Sequence, residues 1–312
     1  MQDKEIEKCM EAASHLEQKG LYNEAEEIYR TILLAEPRNL EVLLRLGVIK
    51  FCTGKEGDVL EICRQALAIK PDCFEAHNLW AMLLQPGDDY FVLLKKFHGW
   101  LQPENYVEIG VEIGQSLMLT DSSIPTVGID PKLRLQFQPG KAAKTYEMTS
   151  DDFFDRYDLL QELGANRVHM AFIDGLHCFE QVLKDFINIE RYSAPDTVVL
   201  LHDCLPLDKI TSSRTRTTCF WSGDSWKSVL CLKEFRPDLV VFTIPSAPTG
   251  LGVVTGLNRG STVLSDKYQE IVEKYMPLDF DYLGGRRGEL LNLVANDWDV
   301  ITRRLQLAGI KP

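Results

Sequence analysis

A run of apolar residues broken by two glycines constrains the fold of this chain more than any other stretch. Residues 106–116 read Tyr-Val-Glu-Ile-Gly-Val-Glu-Ile-Gly-Gln-Ser, and Asp130 follows twenty residues after Gly110. Glycines let the backbone turn sharply at the end of a buried strand and approach a ligand, and an acid at this distance accepts hydrogen bonds from ribose hydroxyls. The pattern therefore predicts a nucleotide-type site at the end of a strand.

Two carboxylates in this run limit which nucleotide it accepts. Dinucleotides bind through amides and a helix N-terminus that face the pyrophosphate, and Glu108 and Glu112 would repel that negative charge. S-adenosylmethionine has no phosphate and carries positive charge, so it suits the run better.

The same residues resemble a known family. Glu-Ile-Gly-x-x-x-Gly-x-Ser, followed by Gly-Ile-Asp, is similar to the first two motifs of class I S-adenosylmethionine-dependent methyltransferases. Three further segments have the order and spacing of a branch that includes small-molecule and sugar O-methyltransferases, namely residues 148–154, 171–177 and 200–203. The resemblance covers roughly residues 100–245.

The resemblance implies which residues surround the cofactor: Glu108, Gly110, Gly114, Ser116, Asp130, Thr149, Ser150, Asp151 and Asp174. Glu108, Gly110, Gly114 and Ser116 would hold the amino-acid part of the cofactor. Asp130 would bind its ribose hydroxyls, and residues 149–151 would border its adenine. The alternatives are an ordinary strand-to-helix turn for the glycines and a helix N-terminus with acids in its first turn for residues 150–152. Glu112 departs from the glycine that many methyltransferases have at its position.

Two carboxylates and two imidazoles follow the later motifs. Methyl transfer to a hydroxyl needs a positioned base, and an imidazole, whose ordinary pKa is about 6.5, accepts a proton at neutral pH. We therefore expect His177 to be the general base and Asp174 the second catalytic residue. Alternatively, His177 caps the helix that begins at Cys178, and His202 and Asp203 form a hydrogen-bonded pair at a strand end.

The resemblance also implies a metal. In metal-dependent members of the branch, a first aspartate and a later acidic pair bind a divalent ion that lowers the pKa of the acceptor hydroxyl. Asp174 and Asp203 match two of these positions, and His202 replaces the expected acid, so the implied ligands are these three residues. The ion would be Mg, Mn or Fe, and imidazole favours a transition metal over magnesium. An iron-dependent oxygenase uses similar ligand types, but the cofactor motifs count against it.

The first 86 residues carry a repeat. Gly20 and Gly54 lie 34 residues apart, as do Pro37 and Pro71. This period and its small residues fit the tetratricopeptide pattern of helix pairs, with one repeat over residues 5–38, a second over 39–72 and a capping helix over 72–84. Because about three repeats are usually needed for stability, we expect this array to pack on the next domain or to self-associate, with a protein partner in its groove as the alternative.

Beyond this region short apolar strands alternate with helical stretches, which predicts an α/β fold with a doubly wound, mostly parallel, Rossmann-like sheet. The expected strands cover residues 105–109, 126–129, 144–148, 167–173, 197–201 and 240–243, and the expected helices cover 114–119, 149–163, 178–192 and 226–235. The expected domains are a tetratricopeptide domain at 1–86, a linker helix at 87–104, a methyltransferase domain at 105–260 and a helical extension at 261–312.

A polar, irregular segment over residues 208–223 predicts a mobile lid above the cleft. Substrate or lid contacts are expected from Arg214, Trp221, Asp224 and Lys227. The alternative is that the arginines of this segment are solvated surface residues.

Composition narrows the function further. A net charge of -12 argues against phosphate-backbone binding, so nucleic acid is not an expected partner. The sequence has no export signal and no apolar run of about 18 residues, which predicts a cytoplasmic protein without a membrane span. We expect an enzyme that transfers a methyl group to an oxygen of a small molecule or saccharide. The alternative is a tetratricopeptide scaffold whose Rossmann-like domain is vestigial or senses the cofactor.

Overall fold

The computed structural model describes residues 3–136 and 138–312, which form two compact units. The helical unit contains the chain up to Pro86 and also Arg216–Trp221. The sheet unit contains Gly87–Thr215 and Ser222–Pro312.

The helical unit is built from five helices: α1 Asp3–Gln18, α2 Tyr22–Ala35, α3 Leu40–Cys52, α4 Glu56–Ile69 and α5 Phe74–Leu84. Helix α3 begins where the Asn39 side chain accepts a hydrogen bond from the Val42 amide at 3.1 Å, as an N-cap residue does. A buried lysine joins three helices, because Lys50 Nζ lies 2.7 Å from Glu26 Oε1 and 2.8 Å from Asp58 Oδ2. The expected helical N-terminal region is therefore present.

The sheet unit contains seven strands: β1 Tyr106–Ile109, β2 Thr126–Asp130, β3 Ala143–Glu147, β4 Met170–Ile173, β5 Val198–Leu201, β6 Val240–Ile244 and β7 Leu251–Thr255. Their order is β3-β2-β1-β4-β5-β7-β6. The first five strands are parallel, and β7 runs antiparallel to both of its neighbours. The prediction of a mostly parallel sheet is confirmed.

Among the described residues of this unit there are also nine α-helices: α6 Tyr90–Leu101, α7 Ser150–Arg156, α8 Leu159–Leu163, α9 Phe179–Glu190, α10 Lys227–Phe235, α11 Val263–Asp266, α12 Tyr268–Tyr275, α13 Arg287–Leu290 and α14 Trp298–Leu307. Apolar side chains of the strands alternate between two cores. Val107 and Ile109 pack with α7 to α10, whereas Tyr106 packs with α6 and α14. Both faces of the sheet are therefore buried, as parallel strands require.

Three elements differ from the sequence-based expectation. Strand β7 was not expected, and it completes the sheet between β5 and β6. The helix expected over 149–163 is two helices, because Tyr157 is extended and Asp158 caps a new helix by accepting from the Gln161 amide. The helix expected over 114–119 is only a 3-10 turn at Leu117–Leu119.

Candidate active site

The glycine loop, residues 110–116, begins where β1 and β4 end side by side. Gly110 has a φ of +95°, and a Cβ atom there would lie 2.0 Å from the carbonyl oxygen of Asp174. Only glycine combines this left-handed backbone with so close an approach. The Asp174 amide also donates to the carbonyl of Ile109 at 2.8 Å. The first glycine motif and Asp174 are therefore neighbours.

Glu108 lies under this loop with no exposed surface. Its carboxyl group accepts hydrogen bonds from the Tyr106 hydroxyl at 2.8 Å and from Ser116 Oγ at 2.6 Å. Burial raises the pKa of Glu108 to about 8, although the two hydroxyl donors act in the opposite direction. At neutral pH this site therefore holds a protonated carboxyl group that a nearby positive charge would ionise.

Asp130 ends β2, and its two carboxylate oxygens organise the neighbouring backbone. Oδ2 accepts from the Glu112 amide at 2.9 Å, and Oδ1 accepts from the Lys132 amide at 2.6 Å. Glu112 has a φ of +46°, which explains why related motifs favour glycine at this position. Each carboxylate oxygen can accept more than one hydrogen bond, so these contacts leave acceptor capacity for a ribose.

Residues 149–151 begin α7. Thr149 Oγ1 accepts from the Asp152 amide at 3.1 Å, so the N-cap residue is Thr149, and Asp151 and Asp152 are the acids of the first turn. Gln181 Nε2 donates to Ser150 Oγ at 3.1 Å and to Asp151 Oδ1 at 3.2 Å. These bonds tie the start of α7 to α9.

Asp185 was missed by the sequence reasoning. It lies on α9 with 1% of its surface exposed and accepts from Gln181 Nε2 at 3.1 Å. Burial raises the pKa of Asp185 to about 7. The available signal was an acid among apolar residues on the buried face of α9, but that pattern alone names no ligand.

A ring of two histidines and two aspartates occupies the ends of β4 and β5. His202 Nδ1 lies 2.9 Å from Asp174 Oδ1, which lies 3.5 Å from His177 Nε2. His177 Nδ1 lies 2.7 Å from Asp203 Oδ2, and Asp203 Oδ1 lies 3.6 Å from His202 Nδ1. We call these four residues the His–Asp ring. Residues nearly 30 positions apart in the chain thus meet because parallel strands end at the same edge.

The charges in the ring stabilise one another. Burial alone would lower the pKa of His202, but the carboxylates of Asp174 and Asp203 outweigh it and raise that pKa. Burial alone would raise the pKa of Asp203, but the two imidazoles hold it below its usual range. The aromatic ring of Tyr90 packs beside His202, with the two ring centroids 4.3 Å apart.

Three members of the ring have the geometry of a metal site. Asp174, His177 and Asp203 each place one ligand atom within 4.8 Å of the other two. In the part of the chain that the structure describes, no other three Asp, Glu, His or Cys side chains come this close together. This set contains His177 in place of the expected His202. His202 instead contacts the aspartates from the buried side, with 9% of its surface exposed.

The backbone of His177 is held by the end of the polar segment. The Asp224 amide donates to the His177 carbonyl at 3.0 Å. Gly223 has a φ of +56°, and a Cβ atom there would lie 1.9 Å from the same carbonyl oxygen. Asp224 Oδ1 also accepts from the Phe179 amide at 2.7 Å and so caps α9. Together these contacts fix where His177 sits.

Three of the four expected substrate contacts form a structural network. Arg214 and Lys227 lie 2.6 Å and 2.7 Å from Asp224 Oδ2, and Arg214 also pairs with Glu180 at 2.6 Å. Asp224 and Lys227 each have 1% of their surface exposed, and such burial favours a structural role over contact with substrate. Trp221 belongs to the helical unit, and the Arg216 guanidinium lies 5.7 Å from the centroid of its ring.

Comparisons with known proteins give one family match. Residues 107–204 match the model of a family described as a methyltransferase domain. No curated protein sequence matches the chain significantly. Every helix within the described residues is too short or too polar to cross a membrane.

The chain is similar to the O-methyltransferase TomG from Streptomyces achromogenes, which is involved in tomaymycin synthesis and was crystallised with S-adenosylmethionine. The two share 14% identity over 54% of this chain and 79% of that chain, with a TM-score of 0.40. An O-methyltransferase from Bacillus cereus in complex with S-adenosylhomocysteine shares 13% identity over 63% of this chain and 90% of that chain, with a TM-score of 0.37. The segment similar to methyltransferase domains, residues 107–204, contains the glycine loop and all four residues of the His–Asp ring.

Proposed function

We propose that this protein is an S-adenosylmethionine-dependent methyltransferase that acts on an oxygen of a small molecule or saccharide. The observation that carries the proposal is the 2.7 Å contact between His177 Nδ1 and Asp203 Oδ2, at the sheet edge where the glycine loop begins. A histidine oriented by a carboxylate is a recurrent general base. The match of residues 107–204 to a methyltransferase domain supports the reaction class.

The cofactor would bind through the residues that surround the glycine loop. Glu108 offers a carboxyl group to the positively charged amino-acid part, and Ser116 holds that group in place. Asp130 would accept from the ribose hydroxyls, residues 149–151 would border the adenine, and Asp174 would also line the cofactor site. A positive charge would ionise the buried Glu108 carboxyl group, and the Glu112 carboxylate would repel a phosphate, so both acids favour a sulfonium nucleoside.

His177 would remove the acceptor proton. With Nδ1–H donating to Asp203, Nε2 is the atom that accepts a proton. S-adenosylmethionine supplies a methyl group on a positively charged sulfur. When the acceptor oxygen takes this methyl group, the electron pair of the C–S bond would stay with the sulfur, and His177 Nε2 would take the acceptor proton. Asp203 stabilises the imidazolium that results.

A divalent metal is the second part of the proposal. Asp174, His177 and Asp203 fit an ion with one nitrogen and two oxygen ligands, and the imidazole favours Mn or Fe over Mg. Such an ion would lower the pKa of the acceptor hydroxyl. A His177 that ligates the metal cannot also serve as the base, so the two roles exclude each other and give different predictions for variants.

We assign the helical unit to the tetratricopeptide class. Two helix pairs, α1–α2 and α3–α4, followed by the single helix α5, support this assignment together with the 34-residue period. Self-association or a protein partner would use this unit. All eight cysteines are free thiols, which supports a cytoplasmic location.

Calorimetry with S-adenosylhomocysteine tests the cofactor site. We expect micromolar binding to the native protein and a loss of at least tenfold in Asp130→Ala, because the ribose loses its acceptor. Absence of binding to the folded native protein would favour the scaffold alternative. Incubation with methyl-labelled S-adenosylmethionine and fractionated cell extract, followed by identification of the labelled product, would then identify the acceptor.

A further inference from the structure

A buried acid lies between α9 and the start of α7. Asp185 of α9 is 1% exposed, and its Oδ1 lies 3.1 Å from Gln181 Nε2. Its other oxygen faces the main chain that follows β4, because a Cβ atom on Gly175 would lie 3.6 Å from Asp185 Oδ2. A buried carboxyl group costs free energy unless it is hydrogen-bonded, so the hydrogen bonds of Asp185 indicate what it holds in place.

These hydrogen bonds reach the first two residues of α7. Gln181 Nε2 lies 3.1 Å from Ser150 Oγ and 3.2 Å from Asp151 Oδ1, in addition to its contact with Asp185. An amide nitrogen carries two hydrogens for these three acceptors, whereas the Ser150 hydroxyl has a hydrogen of its own to donate. Burial raises the pKa of Asp185, and hydrogen bonds from Ser150 and Gln181 act against it. Asp185 therefore receives donors from both helices.

The start of α7 and Gly175 both adjoin expected cofactor residues. The Met148 amide donates to the Asp130 carbonyl at 3.0 Å, so the chain that enters α7 runs beside the expected ribose residue. Gly175 directly follows Asp174. Asp185 lies next to both segments, and it fixes one relative to the other.

An exposed ion pair also joins α7 to α9, but it contributes less. Lys184 Nζ lies 3.0 Å from Asp151 Oδ2, with 43% and 47% of the two side chains exposed. Water screens such a pair, and its side chains lose conformational freedom when they form it. The buried contacts of Asp185 therefore supply most of the polar link between the two helices.

We propose that Asp185 is a positioning residue for the adenine of the cofactor: by holding Ser150 and Gln181, it sets where the segment 149–151 meets the base. The proposal rests on the proposed cofactor site and adds a residue from outside the motifs that define it. Asp185 acts through this segment, because its own side chain is almost fully buried. Its loss should therefore raise the KM for S-adenosylmethionine and leave kcat within about twofold of native.

Asp185→Leu tests this role, because leucine keeps a branched side chain but accepts no hydrogen bond. Asp185→Asn is the conservative variant, since its amide oxygen still accepts from Gln181. Asp155→Asn, on the exposed side of α7, is the matched control. Calorimetry should show S-adenosylhomocysteine binding about tenfold weaker in Asp185→Leu, within about threefold of native in Asp185→Asn, and unchanged in the control. Native affinity in Asp185→Leu would refute the proposal.

S-inosylhomocysteine separates the base from the rest of the ligand, because it carries an oxygen in place of the 6-amino group of adenine. A site that is positioned for adenine already loses contacts with this analogue, so a second loss costs less. Asp185→Leu should therefore bind it only about threefold more weakly than the native protein does. An equal loss of affinity for both ligands would indicate a general disturbance of the fold and would overturn the adenine role.

Hydrogen exchange distinguishes failure of this proposal from failure of the proposed function. Without any ligand, the amides of α7 should exchange about tenfold faster in Asp185→Leu than in Asp155→Asn. Equal exchange in the two variants would show that Asp185 does not order this segment, and the proposal would fall. If the native protein binds no S-adenosylhomocysteine, the adenine role fails together with the proposed cofactor site, while the exchange rates still decide whether Asp185 holds the start of α7.

Discussion

His177 Nδ1 and Asp203 Oδ2 lie 2.7 Å apart, although 26 positions separate the two residues in the chain. The contact forms where the chain after β4 passes the end of β5. It places a carboxylate oxygen beside Nδ1, while Asp174 lies on the Nε2 side of the imidazole, and a carboxylate that orients the imidazole is what a general base of this kind needs.

Asp203→Asn should lower kcat about a hundredfold to a thousandfold, because an amide neither fixes the imidazole tautomer nor stabilises the imidazolium. The affinity for S-adenosylhomocysteine should stay within about twofold of native, since Asp203 is not among the expected cofactor contacts. The measurements are single-turnover methyl transfer and calorimetry. Near-native turnover in Asp203→Asn would remove the His177–Asp203 base from the mechanism.

His177→Asp separates the base from the metal ligand. As a base, His177 has no adequate substitute in a carboxylate, whose ordinary pKa of about 4 makes it a much weaker base than imidazole, so turnover should fall at least a hundredfold with any metal. As a ligand, the new aspartate would complete an all-oxygen site and shift activation from Mn or Fe towards Mg. Activity is measured after chelation and after addition of each ion, with the native protein in parallel.

The affinity for S-adenosylhomocysteine should depend on pH through Glu108. Burial raises the pKa of this carboxyl group to about 8 in the free protein, so below that pH a proton must leave before the carboxylate can meet the cationic amino group. Affinity should therefore rise with pH up to about 8 and then level off. The amino group of S-adenosylhomocysteine also titrates, and it does so with the native protein and with Glu108→Gln alike. The difference between their two pH profiles therefore isolates the effect of Glu108. Parallel pH profiles for the two proteins would contradict it.

Gly110→Ala should destabilise the fold by at least about 2 kcal/mol and abolish cofactor binding, because the new methyl group would collide with the Asp174 carbonyl at a left-handed backbone position. Gly99→Ala is the matched control. No atom lies within 4 Å of the position of its Cβ, and it sits inside α6, so it should stabilise by about 0.5 to 1 kcal/mol. Urea unfolding measures the stability of both variants. Equal stability of Gly110→Ala and Gly99→Ala would contradict the close approach of Gly110 to the Asp174 carbonyl.

Lys227→Met distinguishes a structural lysine from a substrate contact. The Lys227 side chain is 1% exposed, and its loss removes one of the two cations paired with the Asp224 carboxylate. The free energy of unfolding should therefore fall by about 3 kcal/mol. Lys209→Met removes an exposed lysine paired with Asp279 and should leave the urea unfolding midpoint at its native value, because water screens exposed ion pairs. A stable Lys227→Met protein with impaired acceptor turnover would restore the substrate role.

The sequence by itself determined the features that neighbouring residues specify. The 34-residue period and its apolar stripes predicted two helix pairs and one further helix, and α1 to α5 occupy those positions. The apolar run before Gly110 predicted β1 and the turn after it. Helix periodicity, strand burial and a left-handed turn are all encoded within a few residues, so they can be predicted without knowledge of the fold.

The tertiary structure alone decided which polar groups meet. His177, rather than His202, shares the metal-like geometry with Asp174 and Asp203, and Asp224 pairs with Lys227. Strand β7 was likewise missed, since its place depends on pairing with β5 and β6. Such contacts depend on strand register and on the depth at which each strand ends, and these are set by packing between segments far apart in the chain.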